Sequence, residues 1–164
     1  FNGGLLGGTE FGHTVVQVGG VRCTCGREGC LESYASATGL IRMAIEQMDK
    51  HPDSLLWKLC DGDKRKVNAE LAFKASDEKD EAGILAVQEY MKYLAAGVAN
   101  AINMFRPEVV VLGGGISNRG EKLAAELNEM VKGECFGHTF VKPAEVVIAS
   151  LKNDAGIIGA AELC

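Results

Sequence analysis

The sequence contains 164 residues with a formal net charge of -5, and 47% of the residues are hydrophobic. This length allows one domain with a hydrophobic core, whereas the acidic balance argues against binding nucleic acid through its phosphates, which requires a basic surface. No apolar run is long enough to span a membrane, and the first residues lack the basic and apolar regions of a signal peptide. Six cysteines would suit a secreted chain only as disulfides. Because three of them cluster near a histidine and the rest are scattered, we expect a reduced, cytoplasmic protein.

Residues 10–32 carry the most informative pattern in the chain. One imidazole and three thiols fall within this short stretch, namely His13, Cys23, Cys25 and Cys30. Zinc prefers four tetrahedral ligands, and one histidine with three cysteines is a usual structural set. Gly26 and Gly29 suit the sharp turns that such a loop needs. We expect Cys23 and Cys25 to leave the same face of an extended segment, and His13 to arrive from a neighbouring strand.

Two other interpretations of the cysteines stand beside the metal site. The three thiols can be small buried hydrophobic groups, or two of them can form a disulfide. A disulfide leaves one thiol over and gives His13 no role, and a bridge between Cys23 and Cys25 would close a strained ring. The short Cys/His spacing therefore favours a metal site, although the loop lacks the paired Cys-x-x-Cys and second histidine of a classical finger.

The same stretch resembles the signature of the ROK family, whose name stands for repressor, open reading frame and kinase. The pattern Glu-x-Gly-His, then Cys-x-Cys-Gly-x-x-Gly-Cys-x-Glu, is matched at Glu10, Gly12, His13, Cys23, Cys25, Gly26, Gly29, Cys30 and Glu32. The family contains bacterial sugar kinases, above all glucokinases, and sugar-responsive transcriptional repressors. The resemblance implies an α/β chain with the actin-like ATPase (ribonuclease H-like) fold and an inserted zinc loop. It identifies residues 1–164 as a single C-terminal domain fragment, with the sugar site and zinc loop in 1–32 and the nucleotide-side α/β segment in 33–164.

The resemblance also implies residue roles. It assigns structural zinc to His13, Cys23, Cys25 and Cys30, and sugar contacts to Glu10, His13 and Glu32. This double use of His13 is chemically sound, because a metal on one ring nitrogen leaves the other available to a hydroxyl. Carboxylates accept hydrogen bonds from hydroxyls. An alternative for Glu32 is a simple acidic residue at a helix N-terminus.

In chain order, β-branched residues 14–18 predict a strand. A helix is expected from Leu31, with Gly39 interrupting it and Pro52 ending it near His51. Ser54 or Asp53 should cap a short helix that reaches Cys60, and Asn68 should cap another over residues 69–75. The longest apolar periodicity predicts a helix over residues 81–105.

An apolar run over residues 108–112 predicts a buried parallel strand. Gly113, Gly114 and Gly115 follow it and precede a helix expected over residues 120–131. Glycines after a strand let a backbone approach phosphate, but a glycine triplet alone is weak evidence, and a plain tight turn is the commoner explanation. The resemblance implies that they contact the nucleotide. A last strand over 145–149 and a helix over 155–163 complete the prediction.

These patterns lead to three functional hypotheses. The favoured one is an ATP-dependent hexose kinase, with glucose as sugar and ATP and magnesium used by the full-length enzyme. The family's catalytic aspartate and phosphate loops lie upstream, and the glycine-rich opening at residues 3–8 suggests entry inside a larger protein. No catalytic residue is therefore expected in this chain, and the chain alone should be inactive. The alternatives are the effector domain of a sugar-responsive repressor, and a zinc-stabilised fragment without a ligand. A homodimer is an open possibility, and neither nucleic acid nor membrane is an expected partner of this chain.

Overall fold

The computed structural model describes residues 8–151 and 154–162 and has the predicted α/β composition. The chain divides into two compact units, one ending at Leu94 and the other beginning at Ala95. Its elements are α1 (Glu32–Ala35), α2 (Ala37–Lys50), α3 (Leu55–Leu59), α4 (Ala69–Asp77), α5 (Glu81–Phe105), β1 (Val109–Leu112), α6 (Glu121–Lys132), β2 (Glu145–Ile148) and α7 (Ala155–Ala161). Most of the glycine-rich opening lies outside the described residues, and so does Leu163 of the last predicted helix. The single-domain assignment stays a prediction.

The first unit is helical and forms around the inward faces of α2 to α5. Its fully buried side chains include apolar groups, one thiol and one phenol: Leu40, Met43, Met48, Leu56, Ala72, Cys60 and Tyr90. Asp80 joins two of the helices, because its carboxylate accepts the Ser54 hydroxyl and the Leu55 N–H, each at 2.8 Å. Among the described residues, no helix combines the length and apolarity needed to cross a membrane.

The predicted helix from Leu31 to His51 is interrupted at Ser36, not at Gly39. Ser36 is extended, with φ -98° and ψ 169°, and its hydroxyl accepts the Gly39 N–H at 3.1 Å. This is an N-cap that starts α2. Gly39 instead allows a close approach, because a Cβ there would lie 2.7 Å from the Tyr34 carbonyl oxygen.

The second unit is built on the parallel pair β1 and β2, in register from Val109 opposite Glu145 to Leu112 opposite Ile148. Helix α6 packs against β2. Asn128 of α6 bonds the backbone of β2, donating to the Val146 carbonyl at 2.8 Å and accepting its N–H at 2.9 Å. The side chain thus takes the place of a strand on the side of β2 that faces away from β1.

Two strand predictions need correction. Residues 14–18 form only an isolated bridge, Val15 with Cys30, because both the Val16 and Gln17 N–H groups donate to the Gly29 carbonyl and the chain then turns. Val18 is 90% exposed there. Strand β1 is parallel as predicted, but Val111 is 60% exposed, since the two described strands leave one face of the sheet uncovered.

Replacing Asn128 by alanine should destabilise the second unit. Asn128→Ala leaves the N–H and carbonyl of Val146 without their side-chain partner, which typically costs roughly 1–3 kcal/mol. Asn100→Ala, on the exposed side of α5, is the matched control and should be neutral or slightly stabilising, because alanine favours a helix. Urea unfolding monitored by circular dichroism measures both variants, and equal midpoints would contradict this role of Asn128.

Candidate functional site

The loop that carries the three cysteines is a compact turn, not the predicted extended segment. The Cys23 N–H donates to the Arg27 carbonyl at 2.7 Å, and the Gly26 N–H donates back to Cys23 at 3.0 Å. Gly26 has φ +90° and Gly29 has φ +76°, in the region that favours glycine. A Cβ on Gly29 would lie 1.7 Å from the Gln17 carbonyl oxygen, so no other residue fits there.

His13 reaches the loop from a 3-10 turn, Phe11–His13, and the prediction that it comes from a neighbouring strand is wrong. The turn continues into Thr14, whose carbonyl accepts the Leu31 N–H at 2.9 Å. Arg27 makes a second connection, because its guanidinium donates to the His13 carbonyl at 3.2 Å. Sequence reasoning missed Arg27, and only its place inside the loop hinted at a role.

The four predicted ligands converge. The ligand atoms of His13, Cys23, Cys25 and Cys30 all lie within 4.8 Å of one another. The sulfurs of Cys25 and Cys30 are 3.6 Å apart, and the Cys23 sulfur is 3.6 Å from His13 Nδ1. Sulfurs that share one tetrahedral zinc at about 2.3 Å lie about 3.8 Å from each other. The donor set and its spacing therefore fit a four-coordinate metal ion.

A disulfide does not explain the cluster. The 3.6 Å between the Cys25 and Cys30 sulfurs is far longer than a disulfide bond of about 2.05 Å. All five cysteines in the described residues are free thiols, two of them, Cys60 and Cys135, being buried away from the loop. Of the alternatives for the three loop cysteines, the metal site is the one that gives His13 a part.

The electrostatics of the cluster also suit a cation. A hydrogen bond from the Cys25 backbone N–H lowers the pKa of the Cys23 thiol to about 6. Burial raises the pKa of Cys30 to about 11, helped by the two neighbouring sulfurs. Metal binding requires thiolates, and the positive charge of a bound ion favours them. Adjacent thiolates repel each other, and a divalent ion at the centre removes that repulsion.

Glu32 joins the cluster from the first position of α1. Its Oε2 lies 3.4 Å from His13 Nδ1, and both side chains are partly exposed. The turn backbone is close by, since a Cβ on Gly12 would lie 3.5 Å from the Glu32 Cβ. Glu10 precedes this turn, accepts the His13 N–H through its carbonyl at 3.0 Å, and is exposed. The structure thus brings Glu32 and His13 together, with Glu10 at the start of the same turn.

A small cavity opens beside the loop. It measures about 190 Å³ and is lined by Val21, Arg22, Cys23, Thr24, Glu32, Ser33, Thr38, Gly39 and Arg42. The polar groups at its wall include Glu32 and two guanidinium groups. Arg42, nineteen positions beyond Cys23, gave no sequence signal because its place follows from the folding of α2 over α1.

The three glycines lie in the second unit, at the carboxyl end of β1. All three are exposed, and Gly114 has φ +75°. A Cβ added to Gly114 or Gly115 would meet nothing within 4 Å, so this backbone is open to a ligand. A 3-10 turn, Gly115–Arg119, follows and delays α6 to Glu121; the buried Ser117 hydroxyl closes it by donating to the Gly114 carbonyl at 2.6 Å.

The described fold has counterparts among known proteins. The model of the ROK family matches residues 1–164. The chain is 41% identical over 156 residues to a glucokinase of Thermotoga maritima, covering 95% of this chain and 49% of that protein. It is 27% identical over 152 residues to a xylose repressor of Caldicellulosiruptor bescii, covering 92% and 37%.

A solved structure agrees with this match. The ROK family glucokinase of Streptomyces griseus, in complex with glucose and AMPPNP, superposes with a TM-score of 0.87 and 30% identity over 96% of this chain and 51% of that one. The α/β chain with its cysteine–histidine loop belongs to a family of sugar kinases and repressors that has the actin-like ATPase fold. It is a member of the ROK family. The chain spans about half the length of the glucokinases that it matches and aligns with their C-terminal half.

Protein purified without chelator should contain one metal ion per chain. Cys25→Ser should lose it, with affinity reduced at least about tenfold, because a hydroxyl replaces a thiolate ligand. Cys60→Ser is the matched control: Cys60 lies outside the cluster, and its thiol donates to the Trp57 carbonyl, to which a serine hydroxyl can also donate. Metal content by mass spectrometry tests both variants. Full metal in Cys25→Ser, or none in the wild type, would refute the site.

Proposed function

We propose that this chain is the C-terminal part of an ATP-dependent hexose kinase, with glucose as the sugar. The observation that carries the proposal is the meeting of Glu32 with His13, at 3.4 Å, beside a four-ligand metal cluster. Glucokinases among the relatives support the reaction, and the glucose bound in the Streptomyces griseus enzyme supports the sugar. The free thiols support a reducing compartment, the cytoplasm.

Sugar recognition rests on three side chains in this proposal. His13 gives Nδ1 to the metal cluster, which leaves Nε2 for a sugar hydroxyl. Glu32 and Glu10 accept hydrogen bonds from further hydroxyls, and an ionised carboxylate is a strong acceptor. Their partial exposure leaves both carboxylates open to a ligand.

The metal is zinc, and its role is structural. One histidine and three cysteines are a usual zinc set, and four protein ligands leave no open position for a reacting water. Zinc binding energy in such a loop stabilises the fold. The loop can therefore hold His13 and Glu32 in place without entering the reaction.

The nucleotide is assigned to the second unit. Gly114 and Gly115 offer an open backbone at the carboxyl end of a parallel strand, which is where ligands bind in open α/β sheets. Magnesium on the phosphates supplies charge neutralisation during transfer. The base that accepts the proton of the sugar hydroxyl, and the loops that hold the phosphates, come from the half of the longer relatives that this chain does not span.

The second candidate is the effector domain of a sugar-responsive repressor. It is favoured by the 27% identity with a xylose repressor over 92% of this chain. Both functions use a sugar site, so recognition of a hexose is common to them, and turnover separates them. The higher identity to a glucokinase, 41%, favours the kinase.

Full-length protein should phosphorylate glucose with ATP and magnesium, whereas the 164-residue chain should show only background. Glu32→Ala in the full-length protein should raise the KM for glucose roughly tenfold, because a sugar hydroxyl loses its acceptor. Glu70→Ala, at an exposed position of α4, is the control and should match the wild type. A coupled spectrophotometric assay measures the rate of glucose phosphorylation by the full-length protein, the 164-residue chain and the two variants.

The outcomes separate the hypotheses. Glucose binding without turnover by the full-length protein would favour the repressor. Sustained turnover by the chain alone would refute the assignment of catalysis to the missing half.

Gly115→Ala should raise the KM for ATP and leave the KM for glucose unchanged. The added methyl group meets no protein atom, so it would project toward the nucleotide without straining the fold. Gly133→Ala is the matched control, since its Cβ is equally free and its φ is -86°. Steady-state kinetics with each substrate varied decides the case. A Gly115→Ala enzyme with an unchanged KM for ATP would remove these glycines from the nucleotide site.

A further inference from the structure

Tyr34 links the cysteine-bearing segment of residues 21–30, the metal loop, to the helix that carries Glu32. The side chain is 4% exposed, and its hydroxyl accepts the Val21 N–H at 2.7 Å. The contact is close-packed, because a Cβ on the neighbouring Gly20 would lie 2.1 Å from the Tyr34 hydroxyl. A hydrogen bond from a partly buried backbone N–H to a buried side-chain oxygen holds the two groups together.

Val21 is the first residue of the metal loop. Its carbonyl accepts the Gly29 N–H at 2.8 Å, so the two ends of the loop are joined at this residue. Cys23 follows two positions later, and Cys30 comes directly after Gly29. A group that holds Val21 therefore holds the start and the end of the ligand-bearing segment together.

Tyr34 is itself held by stacking. Its ring lies 4.2 Å from the ring of Tyr93 in α5, centroid to centroid, with an angle of 32° between the planes. The Arg42 guanidinium lies 5.4 Å from the Tyr34 centroid. Aromatic and cation–π contacts of this kind stabilise a buried ring. The hydroxyl of Tyr34 is thus presented to the loop by a rigid support on α2 and α5.

Helix α1 has only four residues, Glu32–Ala35, and so short a helix has little stability of its own. Residues two apart on a helix point about 200° away from each other. Glu32 therefore faces His13 while Tyr34 faces Val21 and Tyr93. Contacts on these opposite faces decide how α1 is oriented, and so where the Glu32 carboxylate lies.

We propose that Tyr34 is a positioning residue for sugar recognition: it fixes Glu32 relative to the metal loop through its bond to the Val21 backbone. The inference rests on the proposed function, in which Glu32 contacts the sugar. Tyr34 touches neither the sugar nor the metal ligands' side chains in this role. Its effect on sugar binding acts through the orientation of α1 and through the bonded ends of the metal loop, Val21 and Gly29.

The test is Tyr34→Phe in the full-length protein, loaded with zinc. The variant keeps the stacked ring and removes only the acceptor of the Val21 N–H. We expect the KM for the hexose to rise about tenfold, from the loss of one buried hydrogen bond. The KM for ATP and kcat should stay within about twofold, which marks a loss of sugar binding alone. Zinc content and the visible spectrum of the cobalt-substituted protein should remain those of the wild type.

Tyr90→Phe is the matched control. Tyr90, on α5, is also a buried phenol, and its hydroxyl lies 3.4 Å from the Ala35 carbonyl at the end of α1 without touching the metal loop. This distance is too long for a strong O–H···O hydrogen bond, so the contact contributes little to the orientation of α1. Its removal should leave the hexose KM unchanged.

The outcomes are distinguishable. An unchanged hexose KM in Tyr34→Phe overturns this inference, and so does an equal rise in Tyr90→Phe. Loss of zinc, or a parallel rise in both KM values, also overturns it and shows a merely structural tyrosine. If the wild type binds hexose without turnover, calorimetric Kd values replace KM and the same comparison holds. A wild type that neither phosphorylates nor binds a hexose overturns the proposed function, and this inference with it.

Discussion

The close approach of Gly29 to the Gln17 carbonyl is the constraint on which the site depends. The Gly29 carbonyl accepts the N–H groups of Val16 and Gln17, at 2.8 and 3.2 Å, while its own N–H donates to Val21. One residue thus joins the segment after the histidine turn to both ends of the cysteine loop. Only a glycine permits it, because any side chain would occupy the position of the Gln17 oxygen. This contact therefore fixes how the segment after the histidine turn lies against the cysteine loop.

The ligand residues of the site could be predicted from the sequence, but the backbone conformation that brings them together could not. Short spacing of cysteines and a histidine predicts a ligand set, and the four side chains do converge. The pattern could not show that His13 arrives on a 3-10 turn, because β-branched residues after it favour a strand by local propensity alone. Bonds from Val16 and Gln17 to Gly29 outweigh that propensity, and they depend on contacts between segments distant in sequence. The contacts of Tyr34 and Arg42 near the site could not be predicted for the same reason, because they join segments distant in sequence.

The fold shows a similar division. Helix α5 was predicted at its observed bounds, Glu81–Phe105, because apolar periodicity sustained over many turns is a strong local signal. The break at Ser36 was misplaced to Gly39, since a serine cap and a glycine interruption look alike within a continuous helical pattern. The exposure of Val111 had no local sign either. A continuous apolar run indicates a strand that can be buried on both faces. It does not indicate which elements cover those faces, because they lie elsewhere in the chain or in a larger protein.

Asn128 protects the outer edge of β2. Its carboxamide occupies the outward N–H and carbonyl of Val146, so the outer edge of β2 presents fewer free backbone groups to another strand. Exposed strand edges are templates on which chains add to one another and aggregate. With the N–H and carbonyl of Val146 already bonded to Asn128, the outer edge of β2 is a poorer template for another strand.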